Sequence, residues 1–122
     1  IKQARKYFSG VVLANGGVKD KKSADELLNK TGADGVGIGQ GALGKPWLFS
    51  QLATHNSQLI TKKLILETAL RHASLAYKLK GGQGVIEMRK HLCWYVNGLK
   101  NSNELRRELV KVESLADVKK IL

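Results

Sequence analysis

The sequence has 122 residues and contains only one cysteine, one proline and one methionine. A lone cysteine cannot form a disulfide within the chain, which excludes a disulfide-stapled secreted scaffold and suits a reducing cytosol. No apolar run approaches the roughly 20 residues that a membrane-spanning helix needs, and no signal peptide is recognisable. The sequence therefore predicts a cytoplasmic protein without a membrane partner.

The single methionine is Met88, and the first residue is Ile1. Residues 1–8 have the pattern of the last turns of a helix. Both features lead us to expect a fragment of a longer polypeptide. A trimmed mature protein is the alternative.

Acidic residues are scarce, with 10 Asp and Glu against 21 Lys and Arg, and the net charge is +11. Residues 1–60 carry 8 basic and 4 acidic groups, and residues 61–122 carry 13 and 6. With 43% hydrophobic residues, the composition is otherwise that of a globular protein. A basic helical module favours a polyanionic partner, nucleic acid above all. A solvated basic surface would give the same count.

Most of the 13 glycines lie in residues 10–44. The short apolar run at residues 10–14 predicts a strand buried on both faces, and residues 33–39 predict a second short strand. Each is followed by a glycine loop. Two strands do not complete a sheet. This part is therefore predicted to be a fraction of an α/β domain.

A helix is predicted between these strands, opened by a capping box of Ser23 with Glu26 and ended by Gly32. Pro46 suits the first turn of another helix, at about residues 47–53. The order strand, helix, strand, helix makes the two strands parallel.

In the second half, apolar residues at helical spacing predict four helices. The first helix has an apolar face that includes Leu79, and the helix ends at Gly81. The second helix ends near Gly98. Asn101 and Ser114 open the third and fourth. The predicted fold class is α/β followed by all-α, the latter a small helical bundle.

The loop after the second strand matches two nucleotide-binding patterns in part. Gly39, Gly41 and Gly44 spell G-x-G-x-x-G, but the acidic residue that binds the ribose about 20 positions later is missing. Residues 39–45 also begin a P-loop, but Pro46 stands where a Ser or Thr must hold Mg²⁺. Both interpretations are disfavoured.

Two glycine loops, at residues 15–17 and 39–41, nevertheless follow consecutive parallel strands. Glycine lets the backbone approach a ligand, and free N–H groups at a helix N-terminus attract phosphate. The loops after the last two strands of a TIM barrel build a phosphate site in this way. Tight packing alone would explain the same glycines, so both interpretations stay open here.

Three segments carry specific motifs: Ala-Asn-Gly-Gly at residues 14–17, TGADGVGIGQGALGKPWLF at residues 31–49 and RKHLCWY at residues 89–95. In this order they resemble the C-terminal part of a tRNA-dihydrouridine synthase, over nearly the whole chain. The resemblance implies that residues 1–54 are the last two βα units of an FMN-binding TIM barrel. Residues 55–122 would be the helical tRNA-binding domain.

The resemblance also implies the activity of the parent enzyme, which reduces the C5=C6 bond of uridine in tRNA. Reduced FMN would give hydride to C6, a cysteine would protonate C5, and NADPH would restore the flavin. That cysteine belongs to an upstream barrel loop, so no catalytic residue is expected in this chain. We expect the 122 residues alone to be inactive and to need the upstream part of the same polypeptide to complete the barrel.

By the same resemblance, Asn15, Gly16 and Gly17 would lie at the FMN phosphate through the first loop, and Gly39 and Gln40 through the second. The family usually has Asp in place of Gly17 and Arg in place of Gln40. Loss of the Arg removes a charge-assisted phosphate contact, while backbone donors remain. We expect the phosphate site to persist but to bind more weakly.

Arg89, Lys90, His91, Trp94 and Tyr95 lie within two turns of one helix, where cations can meet phosphates and an exposed aromatic ring can stack on a base. The alternative is that Trp94 and Tyr95 are core aromatics with the cations arranged around them. In the family that the chain resembles, this stretch faces tRNA, which favours the RNA-binding interpretation.

Cys93 is predicted to be a buried thiol on the same helix rather than a catalyst. It diverges from His91 on a helix, and neither His55 nor His72 has a partner at ligand spacing. We predict no metal site.

Two other hypotheses stay open. A non-catalytic RNA-binding module, or a relic of a split gene, is favoured by the departures at Gly17 and Gln40. Another phosphate-binding barrel enzyme with a helical appendage is disfavoured by the motif at residues 89–95.

Overall fold

The computed structural model describes residues 1–54 and 59–122. The chain divides into two compact units, Ile1–Gln58 and Leu59–Leu122. The described residues are mostly helical, with a small parallel two-stranded sheet, and they include no helix long and apolar enough to cross a bilayer. The predicted domain boundary at residues 54–55 lies just before the division, and the assignment of the two units to domains stays a prediction.

The first unit has the order β1 (Leu13–Asn15), α1 (Lys21–Thr31), β2 (Gly35–Gly37) and α2 (Leu48–Thr54). The two strands are parallel, as predicted, and Ala14 lies opposite Val36. Each strand is shorter than the segment predicted for it.

The expectation that the first strand is buried on both faces is wrong for this chain. Within β1 only Ala14 is buried, while Leu13 is 63% exposed and Val11, just before the strand, is 75% exposed. The described residues contain no further strand to cover these side chains, and a parallel sheet needs cover on both faces.

Helix α1 begins earlier than its predicted capping box. Its N-cap is Asp20, whose carboxylate accepts from the Ser23 backbone N–H at 2.8 Å, while Ser23 Oγ accepts from the Asp20 N–H at 3.1 Å. An Asp is as good an N-cap as a Ser, so the box is shifted by one turn and Glu26 has no part in it. Gly32 ends the helix with a φ of 67°, as predicted.

Residues 1–8 are not the end of a long helix, which corrects the sequence-based expectation. They form one 3₁₀ turn at Ala4–Lys6, and none of its residues is buried. An isolated helix draws its stability from a packed face, and this segment has none. Its anchor is Arg5, which donates to the Gly10 carbonyl at 2.8 Å and pairs with Asp34. Hydrogen bonds from the Val12 N–H and from Arg5 lower the pKa of Asp34.

The second unit contains the four predicted helices: α3 (Lys62–Lys80), α4 (Gly82–Tyr95), α5 (Ser102–Leu109) and α6 (Leu115–Ile121). Ser114 opens α6 through a capping box with Asp117, whose pKa is lowered by hydrogen bonds from the Glu113 N–H and from Ser114.

Two of the predicted helix ends differ from the structure. Helix α4 ends at Tyr95 rather than near Gly98. Asn101 precedes α5 as expected, but it adopts a left-handed conformation and its side chain makes no cap hydrogen bond.

The core of the second unit follows the predicted apolar faces. It comprises Ala69, Ala73, Val85, Met88, Leu92, Tyr95, Val96, Leu109, Val112 and Val118. Leu79 was predicted to face inward and is 82% exposed. Helical spacing alone placed it on the core face, whereas in the structure it borders a surface groove between α3 and α4.

Helices α3 and α4 approach closely at Gly84. A Cβ at this position would collide with the Ala76 carbonyl oxygen. Position 84 therefore requires glycine for this packing, which sets the separation of the two helices that carry the aromatic and cationic side chains described below.

Candidate functional site

A cleft of about 510 Å³ lies beyond the ends of β1 and β2. Its lining contains all five residues predicted to bind the cofactor, among Asn15, Gly16, Gly17, Val18, Lys19, Gly37, Gly39, Gln40 and Gly41. The two glycine loops thus meet in one place, as the parallel strand order requires. The role of these residues in cofactor binding stays a prediction.

The cleft exists because both strands end at the same edge of the sheet. The first loop turns at Gly16 and Gly17, with φ values of 137° and 69° that L side chains rarely adopt. The second loop continues into a 3₁₀ turn at Gln40–Ala42. The Asn15 side chain lies against Gly37, since a Cβ added there would stand 3.5 Å from its amide group.

The two loops touch at Gly41. A Cβ there would collide with the Val18 carbonyl oxygen and lie 3.2 Å from the Lys19 Cα. Position 41 therefore requires glycine for this close approach, which joins the second loop directly to the first.

The walls of the cleft suit a phosphate group. A Cβ added at Gly16, Gly17 or Gly39 would meet no other protein atom within 4 Å, so backbone borders open space at all three. Among the described residues, the backbone N–H groups of Gln40 and Gly41 donate to no protein acceptor. Exposed N–H groups at the start of a helical turn attract anions.

Lys19 is the one lining residue with a charge, and sequence reasoning overlooked it. It is exposed and follows buried Val18. No motif spacing marks it, because its place in the cleft results from the contact of the two loops. The one feature of the sequence that could have indicated it is its position, two residues after Gly17 of the first glycine loop.

Three of the predicted RNA-binding residues, His91, Trp94 and Tyr95, belong to a row of rings on α3 and α4. Lys90 Nζ lies 5.1 Å from the Trp94 ring centroid, in cation–π geometry. The His91 ring meets Trp94 edge-on at 4.9 Å, and His72 of α3 lies 5.6 Å from His91. His72 thus joins the row, although sequence reasoning did not include it.

Tyr95 ends this row inside the protein. Its side chain is 6% exposed, and its hydroxyl lies 3.2 Å from His72 Nδ1. Burial raises the pKa of Tyr95 and, together with the neighbouring His91, lowers the pKa of His72. The geometry matches the alternative of a core aromatic for Tyr95 and leaves Trp94 partly exposed.

Arg89 is engaged within the second unit. Its Nε donates to the Val112 carbonyl at 2.7 Å, and its Nη2 lies 3.9 Å from the Glu113 carboxylate. The side chain thus ties α4 to the segment between α5 and α6. Lys90 is exposed and His91 and Trp94 are partly exposed, so these three are accessible to a ligand.

Beside this row, a groove of about 410 Å³ runs between α3 and α4. Leu75 and Leu79 border it, with His72 and His91 also in its wall. Near its other end, Lys80 pairs with Glu87 at 2.6 Å, and this hydrogen bond lowers the pKa of Glu87. The exposed Leu79 thus faces a groove rather than the core.

Cys93 is half-buried rather than fully buried, which corrects the sequence-based prediction. Its Sγ lies 3.9 Å from the Arg106 carbonyl oxygen of α5. No group of three or more potential metal ligands occurs in residues 1–54 and 59–122. His55 lies outside the described residues.

The first unit has the architecture of an α/β protein whose ligand cleft lies at the carboxyl ends of parallel strands, and a helical unit follows it. The family model described as dihydrouridine synthase (Dus) matches residues 1–122. The chain therefore belongs to the dihydrouridine synthase family, and the family predicted from the three motifs is confirmed.

Curated relatives agree with this assignment. The chain is 37% identical over 113 residues to a probable tRNA-dihydrouridine synthase of Mycobacterium tuberculosis (strain CDC 1551 / Oshkosh), covering 88% of this chain and 29% of that protein. It is 40% identical over 102 residues to one of Rickettsia conorii, covering 78% and 30%. Probable tRNA-dihydrouridine synthase 1 of Synechocystis sp. is 30% identical over 118 residues, covering 91% and 33%. The chain thus spans about a third of these relatives or less.

Proposed function

We propose that this chain supplies part of the cofactor cleft and part of the RNA-binding surface of a flavin-dependent tRNA-dihydrouridine synthase. The observation that carries the proposal is the single cleft in which both glycine loops meet. Membership of the family supports the reaction, which is reduction of uridine in tRNA. The parent protein is proposed to be a cytoplasmic oxidoreductase.

The proposed cofactor is FMN, with its phosphate in the cleft. Backbone N–H groups around Gly16, Gly17 and Gly39 and the side chains of Asn15 and Gln40 would hold it. When bound, the flavin would supply hydride to the uracil ring, and NADPH would reduce it again. The open space beside these glycines supports the assignment, because it lets a phosphate approach the backbone.

The first unit is proposed to be the end of a TIM barrel whose other strands come from the upstream part of the same polypeptide. Tyr7, Phe8, Val11 and Leu13 are between 56% and 90% exposed. Exposed apolar side chains of this size next to a two-stranded parallel sheet are what further strands and helices would cover. The relatives are long enough to contain them.

The 122 residues alone are proposed to be inactive. A barrel fraction with two strands cannot enclose a flavin ring or a uracil, and the proposed proton donor lies upstream. The chain would therefore bind RNA without reducing it.

The proposed RNA surface consists of Lys90, His91 and Trp94. Lys90 would meet a phosphate, and the partly exposed Trp94 ring would stack on a base or ribose. Arg89 and Tyr95 are proposed to act indirectly. They hold α4 in place through Val112 and His72, so that the other three side chains keep their arrangement.

A non-catalytic RNA-binding module remains the second candidate, favoured by Gly17 and Gln40. Without an acidic residue at position 17 and a cation at position 40, the cleft has lost two groups usual in the family. This candidate predicts RNA binding without flavin in the complete protein.

The test measures tRNA affinity and flavin content of the complete protein that contains this chain. Lys90→Gln should weaken tRNA binding several-fold and reduce the slope of log affinity against log salt by about one. Trp94→Ala should cost about 1 kcal/mol or more if the ring stacks on a base. Lys78→Gln, which removes the same charge from an exposed lysine in the last turn of α3, is the matched control and should change little.

Unchanged tRNA affinity in both Lys90→Gln and Trp94→Ala would contradict the proposed RNA surface. A complete protein that purifies without flavin and binds none on addition would favour the second candidate.

A further inference from the structure

We propose that Lys19 supplies the positive charge that a phosphate monoester needs in the cleft between the two glycine loops. The inference rests on the proposed function for the identity of the ligand, FMN. It adds a residue that neither the motifs nor the family assignment indicates. Lys19 is a binding residue in this proposal and has no part in the transfer of hydride.

The charge of the cleft is the first observation. Apart from Lys19, its lining consists of glycines, Val18, Asn15 and Gln40, which are all neutral. A phosphate monoester carries up to two negative charges. Backbone N–H groups and amides can donate hydrogen bonds to it, but a charge-assisted contact is about twice as strong as a neutral one. Within the lining, only Lys19 can make such a contact as a cation.

Lys19 also differs from the two lysines that follow it, Lys21 and Lys22, because it has no ion-pair partner among the described residues. Lys21 lies 3.2 Å from Asp25, and Lys22 lies 3.9 Å from Glu26. No carboxylate in the described residues stands within ion-pair distance of Lys19.

The adjacent carboxylate is engaged as a helix cap. Asp20 accepts from both the side chain and the N–H of Ser23, and these hydrogen bonds are the main cause of its lowered pKa. Lys19 makes a smaller contribution to that shift. The two groups form no ion pair, so the Lys19 ammonium group can turn to a ligand.

The backbone fixes where this flexible side chain starts. The Lys19 N–H donates to Ser23 Oγ at 3.0 Å, which anchors it to the first turn of α1. On the other side, Gly41 packs against the Val18–Lys19 backbone. The Cα of Lys19 therefore lies beside the turn that contains Gln40, where the free N–H groups are.

Lysine suits this role because its ammonium is a compact charge on a long stem, able to reach a phosphate without a fixed fork geometry. The proposal therefore makes Lys19 a selectivity residue. It should favour flavin that carries a phosphate over the same flavin without one.

The experiment compares FMN with riboflavin, using flavin-free complete protein that contains this chain and titrations followed by flavin fluorescence. Lys19→Gln should raise the dissociation constant for FMN about tenfold, a loss in line with an exposed charge-assisted contact. The constant for riboflavin should change less than twofold. Lys22→Gln is the matched control, because it removes the same charge from a neighbouring residue that is paired with Glu26, and it should leave both constants unchanged.

Restoring a cation supplies the positive test. Lys19→Arg should keep most of the affinity for FMN. Gln40→Arg in the Lys19→Gln background should recover it, because position 40 lines the same cleft. A structural role for Lys19 would instead weaken FMN and riboflavin alike and would not be rescued from position 40.

Several outcomes separate this inference from the proposed function. If FMN binds to the unaltered protein and Lys19→Gln changes its affinity less than twofold, the inference is wrong and the proposed function stands. If neither flavin binds, the proposed function fails, and inorganic phosphate becomes the probe. Phosphate should then raise the melting temperature of the unaltered protein and of Lys22→Gln but not that of Lys19→Gln, and this result would support the inference. The same rise in all three proteins, or no rise in any of them, would overturn it.

Discussion

The two units of this chain differ in how far each completes its own core. In the helical unit, residues 59–122, the five largest fully buried side chains come from three helices and the segment after one of them: Val85, Leu92, Val96, Leu109 and Val118. Among its described residues, the first unit buries only the apolar side chains of Ala14, Val18, Ala24 and Leu48, and it leaves large side chains such as Tyr7 at 90% exposure. The helical unit thus has a core of its own, whereas the first unit leaves several large apolar side chains uncovered.

This difference has a physical cause in the two kinds of secondary structure. A helix satisfies its backbone hydrogen bonds internally, so four helices can bury one shared core. A parallel strand needs neighbours for its backbone and cover for both faces. Each of these three-residue strands has only the other as a neighbour among the described residues, and Leu13 of β1 is left exposed.

The largest expected effect comes from separating the units. Residues 59–122 produced alone should be helical and show a cooperative thermal transition, because their core is self-contained. Residues 1–58 produced alone should show little cooperative structure. Circular dichroism on heating measures both, and a cooperative transition in the isolated first unit would break the comparison.

Gly84 tests whether the packing of the helical unit is as close as the structure shows. Gly84→Ala should destabilise this unit by about 1–3 kcal/mol, because its Cβ would collide with the Ala76 carbonyl. Chemical denaturation measures the change in the free energy of unfolding.

The matched control for this substitution is Gly82→Ala, at the start of the same helix. A Cβ at position 82 would lie 3.9 Å from the Glu113 carbonyl oxygen, which is an ordinary van der Waals distance. This variant should be neutral or slightly more stable, since alanine favours a helix over glycine. Equal effects at positions 82 and 84 would contradict the close approach of α3 and α4.

His72 gives the smallest expected effect, a dependence of stability on pH. Burial first, and the neighbouring His91 second, lower its pKa in the folded state. Below the pKa of an unfolded histidine, about 6.5, the unfolded chain then binds more protons, so the free energy of unfolding falls with falling pH. The loss should stay below about 1 kcal/mol, because the ring is partly exposed to solvent.

The measurement is the denaturation midpoint of the chain between pH 7.5 and 5. The stability should be fully present above about pH 6.5 and should decline below it as His72 becomes protonated. His72→Gln should flatten this part of the profile. A profile of the same slope in the variant would show that other groups cause the decline.

The local features of the fold were accessible from the sequence. The parallel strand pair, the stop at Gly32, the four helices of the second unit and the opening of α6 at Ser114 follow from short-range patterns of apolar residues, glycines and caps. Where a predicted helix start was wrong, two nearby residues competed for the same capping role. The cap of α1 lies at Asp20 because an Asp and a Ser three residues later satisfy each other as well as the Ser23–Glu26 pair would.

The candidate cleft was predictable only in part. Asn15, Gly16, Gly17, Gly39 and Gln40 come from two loops whose meeting follows from the parallel order of the strands. Lys19 did not emerge in the same way. It lines the cleft because Gly41 contacts the backbone before it, and a contact between loops 22 residues apart has no local signature in the sequence.

The motif at residues 89–95 shows the same division. The sequence by itself determined the helix, its clustered cations and aromatics and, through three motifs, the family of the protein. Only the tertiary structure decided that Tyr95 faces inward toward His72, that Arg89 reaches the Val112 carbonyl, and that Lys90, His91 and Trp94 remain accessible. The reason is that helical spacing sets the angle of a side chain around its own axis, whereas burial depends on which distant helices pack against it.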